Sequence, residues 1–237
     1  MSEPSTIDRG PDLDAPARRD EHEGEGATRG TARMEAFADG VFAIAFTLPI
    51  VGIVLPEIAR PGALLAHDLA TLTHAYAGYL LASLVIGLYW IQHHFSGAIY
   101  RTTGHWFLLA TVLFLTAIGF IAFPARVLAE HFADAAARPA ASIFWVASLA
   151  VTSWTWLLKW SVGFHRGQVD ARLEPAYVAR LNRHFWLIAA ANLAAVLLVL
   201  VRWEVGLAVS TAAFLTLLIP PATPRYRTEA PVVEGEA

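Results

Sequence analysis

Long apolar runs separated by short polar breaks make up most of the chain, and this pattern predicts membrane-spanning helices. A helix needs about 20 mainly apolar residues to cross a bilayer. The candidate runs are residues 35–55, 71–92, 106–128, 141–161, 184–201 and 204–219. The last run is short and is joined to the fifth by a tight turn. Because none of the runs alternates apolar and polar residues as a barrel strand does, we expect an all-α membrane protein with six transmembrane helices per subunit.

Both ends of the chain are polar and differ from the apolar middle. Residues 1–32 combine glycines and acids with almost no apolar side chains, a composition typical of a disordered tail. They lack the basic start and apolar run of a secretory signal, so the first apolar run is expected to remain in the protein as a helix. Residues 220–237 predict a second tail, which leaves residues 33–219 as the transmembrane domain.

The composition favours a membrane protein and argues against other classes. Hydrophobic residues make up 56% of the chain and charged residues 16%, whereas soluble domains carry about 25% charged residues. The net charge of -3 does not suit a nucleic-acid partner, which requires a basic face. The chain contains no cysteine, which excludes disulfides and thiolate metal sites.

The basic residues predict the orientation, because cytoplasmic loops carry an excess of arginine and lysine. With the N-terminus inside, the cytoplasmic side holds most of the 17 basic residues. These are Arg9, Arg18, Arg19, Arg29, Arg33, Arg101, Lys159, Arg166, Arg172, Arg180, Arg183, Arg225 and Arg227. The outer side holds Arg60, Arg126, Arg138 and Arg202. We therefore expect both termini in the cytoplasm.

One stripe of the first predicted helix carries branched apolar side chains. At 100° per residue, Ile44, Leu48 and Val51 fall within about 60° of one another, and Thr47 lies at the edge of this stripe. The stripe fits contact with lipid or ordinary helix packing. It also fits a pore wall, because a narrow ring of branched side chains can exclude water or force an ion to shed its hydration. The pattern alone does not separate these interpretations.

Asp39 lies where the first helix is expected to enter the bilayer, which makes it a candidate functional residue. Arg33 is six residues away and does not stack on it as a helical neighbour. Trp90, His93 and His94, at the end of the second helix, lie at the same depth. Asp39 is either an interfacial acid satisfied by water or part of a buried network, with Arg33 and a histidine or tryptophan of the second helix as partners. Adjacent histidines point about 100° apart on a helix, so a shared metal is not expected.

Other kinds of functional machinery are absent from the sequence. No predicted helix has an acid or base near its midpoint, where a proton-coupled transporter normally needs one. The sequence has no TVGYG-type segment for a filter of backbone carbonyls. It also has no HExxH, P-loop or serine–histidine arrangement, so we expect neither an enzyme nor a cofactor.

Three motifs in order resemble a known family. In RMEAFADGVFAIAFTL, residues Arg33, Phe37 and Asp39 are similar to the R-x-x-x-F-S-D signature of the transmembrane protein 175 family. YWIQHHF is similar to that family's W-x-x-H motif on the second helix, and IAFPARVLAEH to the proline-containing end of the third. The resemblance runs from about residue 33 to residue 131. The family comprises potassium-permeable channels of lysosomes, bacteria and archaea.

The resemblance implies a six-helix subunit whose first helix lines a central pore, and prokaryotic members are homotetramers. It places the narrowest ring at Ile44, further apolar layers at Leu48 and Val51, and a small polar position at Thr47. It also implies that Asp39 anchors the pore helix. This chain departs from the pattern in having Ala38 in place of the motif serine and Pro49 where leucine is common.

The function expected from residues and resemblance together is a potassium-permeable cation channel of the cell membrane. It would have a hydrophobic constriction instead of a carbonyl selectivity filter, and its partners would be potassium ions, membrane lipid and further copies of the chain. Two alternatives stay open: a small secondary transporter, and a non-conducting membrane protein of the same fold.

Overall fold

The structure is a computed structural model that describes residues 30–54, 65–220 and 223–227. Within these ranges the chain is a helical bundle, and the expected all-α fold is confirmed. Its helices are α1 (Ala32–Thr47), α2 (Leu65–Thr71), α3 (Thr73–Ser96), α4 (His105–Phe120), α5 (Ala122–His131), α6 (Arg138–His165), α7 (Pro175–Val201) and α8 (Trp203–Leu215). A 3₁₀ segment follows α1 (Leu48–Gly52) and another follows α8 (Thr216–Leu218). Most of the expected tails, residues 1–29, 221–222 and 228–237, lie outside the described residues.

Five stretches of the described chain are long and apolar enough to cross a membrane. They are Ala32–Gly52, Thr73–Ser96, His105–His131, Arg138–His165 and Pro175–Val201. The sixth expected span corresponds to the shorter apolar stretch Trp203–Leu218. The fifth helix begins at Pro175 rather than at residue 184. Its first turns contain arginines that lower the hydropathy, while Pro175 has the fixed φ that suits the start of a helix.

The third expected span is interrupted between α4 and α5. Ile121 separates the two helices, and its N–H bonds back only three residues, to Ile118, at 3.2 Å. Pro124 follows in the first turn of α5. A proline inside a helix has no N–H to donate, and its ring clashes with the carbonyl four residues earlier, here that of Phe120. The proline therefore accounts for the break.

Helix α6 lies at the centre of the bundle and packs against α4, α5, α7 and α8, while α1 packs against α3 and α4. The core is rich in aromatic rings. Trp156 of α6 contacts Phe114 of α4 and Phe185 of α7 at centroid distances of 5.0 and 5.7 Å. This ring cluster joins the helices that support α1 to the second half of the chain.

Helices α7 and α8 form a tight hairpin. A Cβ atom built on Gly206 would lie 2.3 Å from the backbone nitrogen of Val199, so only glycine fits at this crossing. Deeper in the hairpin, the buried Ser210 hydroxyl donates to Asn192 Oδ1 at 3.0 Å. The polar pair is thus satisfied within the apolar interface, which such groups require.

The segments 97–104, 166–174 and 223–227 meet at one end of the bundle, which we call the basic end. Tyr100 pairs with Val169, and Leu173 pairs with Tyr226, through isolated β-bridges. The exposed arginines in these segments are Arg101, Arg166, Arg172, Arg225 and Arg227. Part of the expected C-terminal tail is therefore packed against the bundle.

Two ionisable groups at the basic end have shifted pKa values. The hydrogen bonds from the Arg172 side chain, at 2.8 Å for its closest contact, hold the pKa of Asp170 below its usual value. Burial raises the pKa of the Tyr100 hydroxyl. Asp170 is therefore a carboxylate that fixes the turn between α6 and α7.

Candidate pore helix and its anchoring network

Helix α1 has one buried face and one exposed face. Met34, Ala38 and Phe42, spaced four residues apart, are 8%, 0% and 2% exposed and pack into the bundle. On the other side Ile44 is 61% exposed and Val51 is 73% exposed. Spacing by four residues keeps the first three side chains on one face of an α-helix. The branched stripe expected from the sequence thus points away from the subunit's own core.

The stripe continues from the α-helix into the 3₁₀ segment Leu48–Gly52. Pro49 lies in the first turn of this segment and cannot donate the hydrogen bond that would continue the α-helix. A 3₁₀ helix turns about 120° and rises about 2.0 Å per residue, so Leu48 and Val51 remain aligned. From Ile44 to Val51 the stripe is about 12 Å long, the α-helical part rising at about 1.5 Å per residue. Leu48 itself is 61% exposed.

Thr47 lies beside the stripe and is exposed. Its hydroxyl donates to the carbonyl of Ala43 at 2.7 Å. This intrahelical bond satisfies the hydroxyl hydrogen, as is common for threonine in a helix. The oxygen retains acceptor capacity at the edge of an otherwise apolar surface.

The structure brings Asp39 and Trp90 together across the groove between α1 and α3. The indole Nε1 of Trp90 donates to Asp39 Oδ1 at 3.1 Å. The ring of His94 lies over Trp90, with centroids 5.7 Å apart. Arg33 and Phe37 are exposed on the first turns of the same helix. Helix α3 therefore supports Asp39 through a tryptophan, which is one of the two kinds of partner expected from the sequence.

His93 points into the core instead. It is 3% exposed, its Nδ1 lies 3.0 Å from Nζ of Lys159, and its ring lies 5.5 Å from that of Phe42. His93 and His94 are adjacent and so diverge by about 100° on the helix, which explains why they contact different groups. Within the described residues no three His, Asp or Glu side chains are close enough together to hold a metal ion.

Sequence reasoning missed the importance of Lys159. This side chain is 0% exposed, although its position near the end of a predicted helix suggested an interfacial residue. Two signals were available: Lys159 is the only lysine in the chain, and it stands in the aromatic segment WTWLLKW. Trp156, three residues before Lys159, and Trp160, one residue after it, indicate a helix surface that packs against other helices.

These features define an all-helical, multi-pass membrane protein whose first helix exposes an apolar stripe. A family model described as the endosomal/lysosomal potassium channel TMEM175 matches residues 33–122. A potassium channel of Streptomyces collinus is 32% identical over 154 residues, covering 65% of this chain and 74% of that protein. This chain belongs to the TMEM175 family.

Two further comparisons extend the likeness. A potassium channel of Chamaesiphon minutus is 36% identical over 117 residues, which cover 48% of this chain and 57% of that protein. The crystal structure of a lysosomal potassium-selective channel TMEM175 homolog from the same organism superimposes with a TM-score of 0.64 at 23% identity. That match covers 80% of this chain and 96% of the other, and it shows a common fold.

Proposed function

We propose that this chain is a potassium-permeable cation channel that conducts as a homotetramer, with α1 around the axis and a hydrophobic constriction at Ile44. The observation that carries this proposal is the continuous exposed stripe of Ile44, Leu48 and Val51. The opposite face of α1 is buried against α3 and α4, which fixes the rotation of α1 about its own axis. The potassium-channel names of the relatives support the choice of ion.

An apolar groove between α1 and α3 supports assembly. Its lining residues are Asp39, Phe42, Ala43, Phe46, Thr47, Leu80, Ser83, Leu84, Ile86, Gly87, Leu88, Trp90 and Ile91. The groove runs along the α1 face next to the stripe. A neighbouring copy seated in this groove would bring its own stripe towards the same axis. A single stripe per subunit cannot enclose a conduit, whereas a closed cyclic arrangement can.

The proposed constriction would act through dehydration. Four Ile44 side chains at the axis present only aliphatic carbon, which cannot replace the water around a cation. Leu48 and Val51 would extend this dry zone along the roughly 12 Å of the stripe. Passage then requires the ring to widen or the ion to lose part of its hydration, so conductance depends on how α1 is positioned.

We assign Asp39 and Trp90 the task of positioning α1. Their 3.1 Å hydrogen bond joins the first half of α1 to the end of α3. A hydrogen bond to a charged acceptor contributes about 1.5–3 kcal/mol. The network expected around this bond also included Arg33, Phe37, His93 and His94, of which His94 packs on Trp90 and His93 points into the core. The network would fix the helix, and Ile44 would set the barrier.

The cytoplasmic location of both termini is also part of the proposal, with the protein in the cell membrane. The arginines of the basic end support it, because residues 223–227 lie at this end and Gly97 of the same end approaches Glu35 in the first turn of α1. Excess basic residues mark the cytoplasmic side of a membrane protein. Protease cleavage of a tag at either terminus, in sealed inside-out vesicles but not in intact cells, would test the orientation.

Potassium flux from reconstituted vesicles tests the function. Vesicles loaded with potassium are diluted into potassium-free buffer, and a protonophore converts potassium efflux into proton uptake that a fluorescent dye reports. A channel gives efflux that follows the imposed voltage without saturation. A secondary transporter instead gives saturable flux coupled to a second ion, and a non-conducting protein gives none.

Native mass spectrometry in detergent tests the assembly separately. We expect a complex of four chains. A stable monomer that conducts potassium in the vesicle assay would contradict the proposed pore, because the stripe would then have no partner across an axis.

A further inference from the structure

A fully buried lysine lies where α1, α3, α4 and α6 meet. Lys159 is 0% exposed, and its ammonium nitrogen is surrounded by aromatic rings. The nitrogen lies 5.0 Å from the ring centre of Trp156, 5.3 Å from Tyr100, 5.9 Å from Phe107 and 6.0 Å from Phe114. Aromatic faces stabilise a cation at these distances. The site is therefore built to hold a positive charge inside the bundle.

His93 is the polar partner of this lysine. The distance between Lys159 Nζ and His93 Nδ1 is 3.0 Å, and both side chains are buried. An ammonium can only donate, so the facing ring nitrogen accepts when Lys159 is protonated. With Lys159 protonated and the ring neutral, the pair carries one positive charge. A second proton would place two cations 3.0 Å apart, which like-charge repulsion opposes.

The pair contacts α1 through one ring and interacts electrostatically with one of its acids. The ring of His93 packs on Phe42 with centroids 5.5 Å apart. Glu35, one turn into α1, interacts electrostatically with Lys159, and its buried Oε1 has no hydrogen-bond partner within the described part of the chain. Phe42 precedes Ile44 by two residues. The pair therefore contacts the part of α1 that immediately precedes the stripe.

Other titratable groups also face the pair. His94 of α3 lies close enough to His93 to interact with it electrostatically. Tyr100, between α3 and α4, contributes its ring to the cage around Lys159. Among these groups Glu35 is the acid that can balance the charge of the pair.

We propose that Lys159 is a positioning residue for the pore helix: by pairing with His93 and interacting electrostatically with Glu35, it holds the first half of α1 against α3 and α4. This inference rests on the proposed function in so far as α1 lines a pore. Loss of the charge at residue 159 would loosen α1 and change the barrier at Ile44. A second proton on the pair would do the same, so acid would change the conductance.

Hydrogen exchange of the assembled protein in detergent tests the positioning without relying on conduction. Lys159→Met keeps an unbranched side chain but removes the charge. We expect residues 33–46 to exchange about tenfold faster in this variant, the factor that corresponds to one lost charge-assisted hydrogen bond. Asn192→Leu is the matched control, because it removes a buried polar group whose partners lie on α7 and α8. It should accelerate exchange near Ser210 and leave residues 33–46 unchanged.

The acid response provides a readout that a purely structural role would not change. His93→Gln keeps an acceptor for Lys159 but cannot gain a proton. We expect potassium flux through the unmodified protein to change with acid and flux through this variant to lose that change. Because the chain has a single lysine, selective ¹⁵N labelling of lysine gives one side-chain NMR signal. Its pH titration should change in His93→Gln.

The outcomes separate this inference from the proposed function. Unchanged exchange of residues 33–46 in Lys159→Met, or equal acceleration in Asn192→Leu, would overturn it. If Lys159→Met does not assemble, the His93→Gln arm decides: a lysine titration identical to that of the unmodified protein would overturn the pairing. Absence of potassium flux from the unmodified protein would reject the channel and leave the exchange result standing.

Discussion

Phe42 and Ile44 are two residues apart on α1 and offer a matched pair of substitutions. They lie about 200° apart around the helix. Phe42 is 2% exposed and packs on His93 and Phe114, whereas Ile44 is 61% exposed. Replacing each residue with alanine therefore separates the packing role of the helix from its proposed role in conduction.

The expected magnitude follows from the volume that is lost. Phe42→Ala removes on the order of 100 Å³ from a closed core, which at about 24 cal/mol per Å³ of cavity lowers the free energy of unfolding by about 2.4 kcal/mol. This is the cavity contribution alone, because lipid solvates an apolar side chain as well as the core does. The equilibrium constant for folding should therefore fall by a factor of about 50. Ile44→Ala should change the stability of the subunit by no more than about 0.5 kcal/mol, as expected for an exposed position.

Unfolding in mixed micelles, followed by tryptophan fluorescence as the dodecyl sulfate fraction rises at fixed protein concentration, measures both stability changes. Single-channel recording then measures conduction by the molecules that remain folded. We expect Phe42→Ala to unfold at a lower dodecyl sulfate fraction and to show the smaller change of current. Ile44→Ala should unfold at nearly the same fraction as the unmodified protein and show the larger change of current. Equal destabilisation by the two substitutions, or a larger change of current in Phe42→Ala, would refute the assignment of the two faces.

Three further predictions concern the barrier, the anchor and the basic end. Ile44→Asn should wet the constriction, raise basal current and bring the potassium/sodium reversal potential closer to zero; an unchanged reversal potential would place the ion path elsewhere. Trp90→Phe should weaken assembly by about 1.5–3 kcal/mol and Asp39→Asn, which keeps an acceptor oxygen but loses the charge, by about 1 kcal/mol; the double variant should cost little more than Trp90→Phe alone, and full additivity in the detergent stability of the oligomer would argue against the Trp90–Asp39 bond. Because the pKa of Asp170 is held low by Arg172, its contribution to stability is present above the unfolded pKa of about 4 and is lost as the pH falls further, towards the folded pKa. Hydrogen exchange of residues 166–174, corrected for its intrinsic pH dependence, should therefore accelerate below pH 4 in the unmodified protein but not in Asp170→Asn.

The positions of the membrane helices could be predicted because apolar run length is a strong signal. The orientation of α1 around its axis was also within reach of the sequence. The small and aromatic residues Ala38 and Phe42 recur at helical spacing, opposite the branched stripe. The true start of α7 at Pro175 could not be read from hydropathy, because its first turns lie at the polar basic end.

The details of the network depend on tertiary packing. Hydropathy treats Lys159 as a charge near a helix end, and only the rings of α4 and α6 and the loop between α3 and α4 make its burial possible. The choice of Trp90 as donor to Asp39 depends on the rotation of α3, since His93 and Trp90 lie 60° apart on that helix. Pro49 in the sequence marks a position that cannot donate a helical hydrogen bond, but the 3₁₀ segment that keeps Val51 in line is visible only in the folded chain.

The central claim is that ions pass along the exposed stripe of α1, and substituted-cysteine accessibility tests it most directly. The chain has no native cysteine, so Ile44→Cys provides a single thiol in the reconstituted channel. Silver ions, which are small cations that react with thiols, are added during recording of potassium current. We expect rapid, irreversible block of Ile44→Cys and no effect on Leu197→Cys, which is exposed on α7. Persistent current in Ile44→Cys under silver, or equal block of Leu197→Cys, would contradict a pore lined by α1.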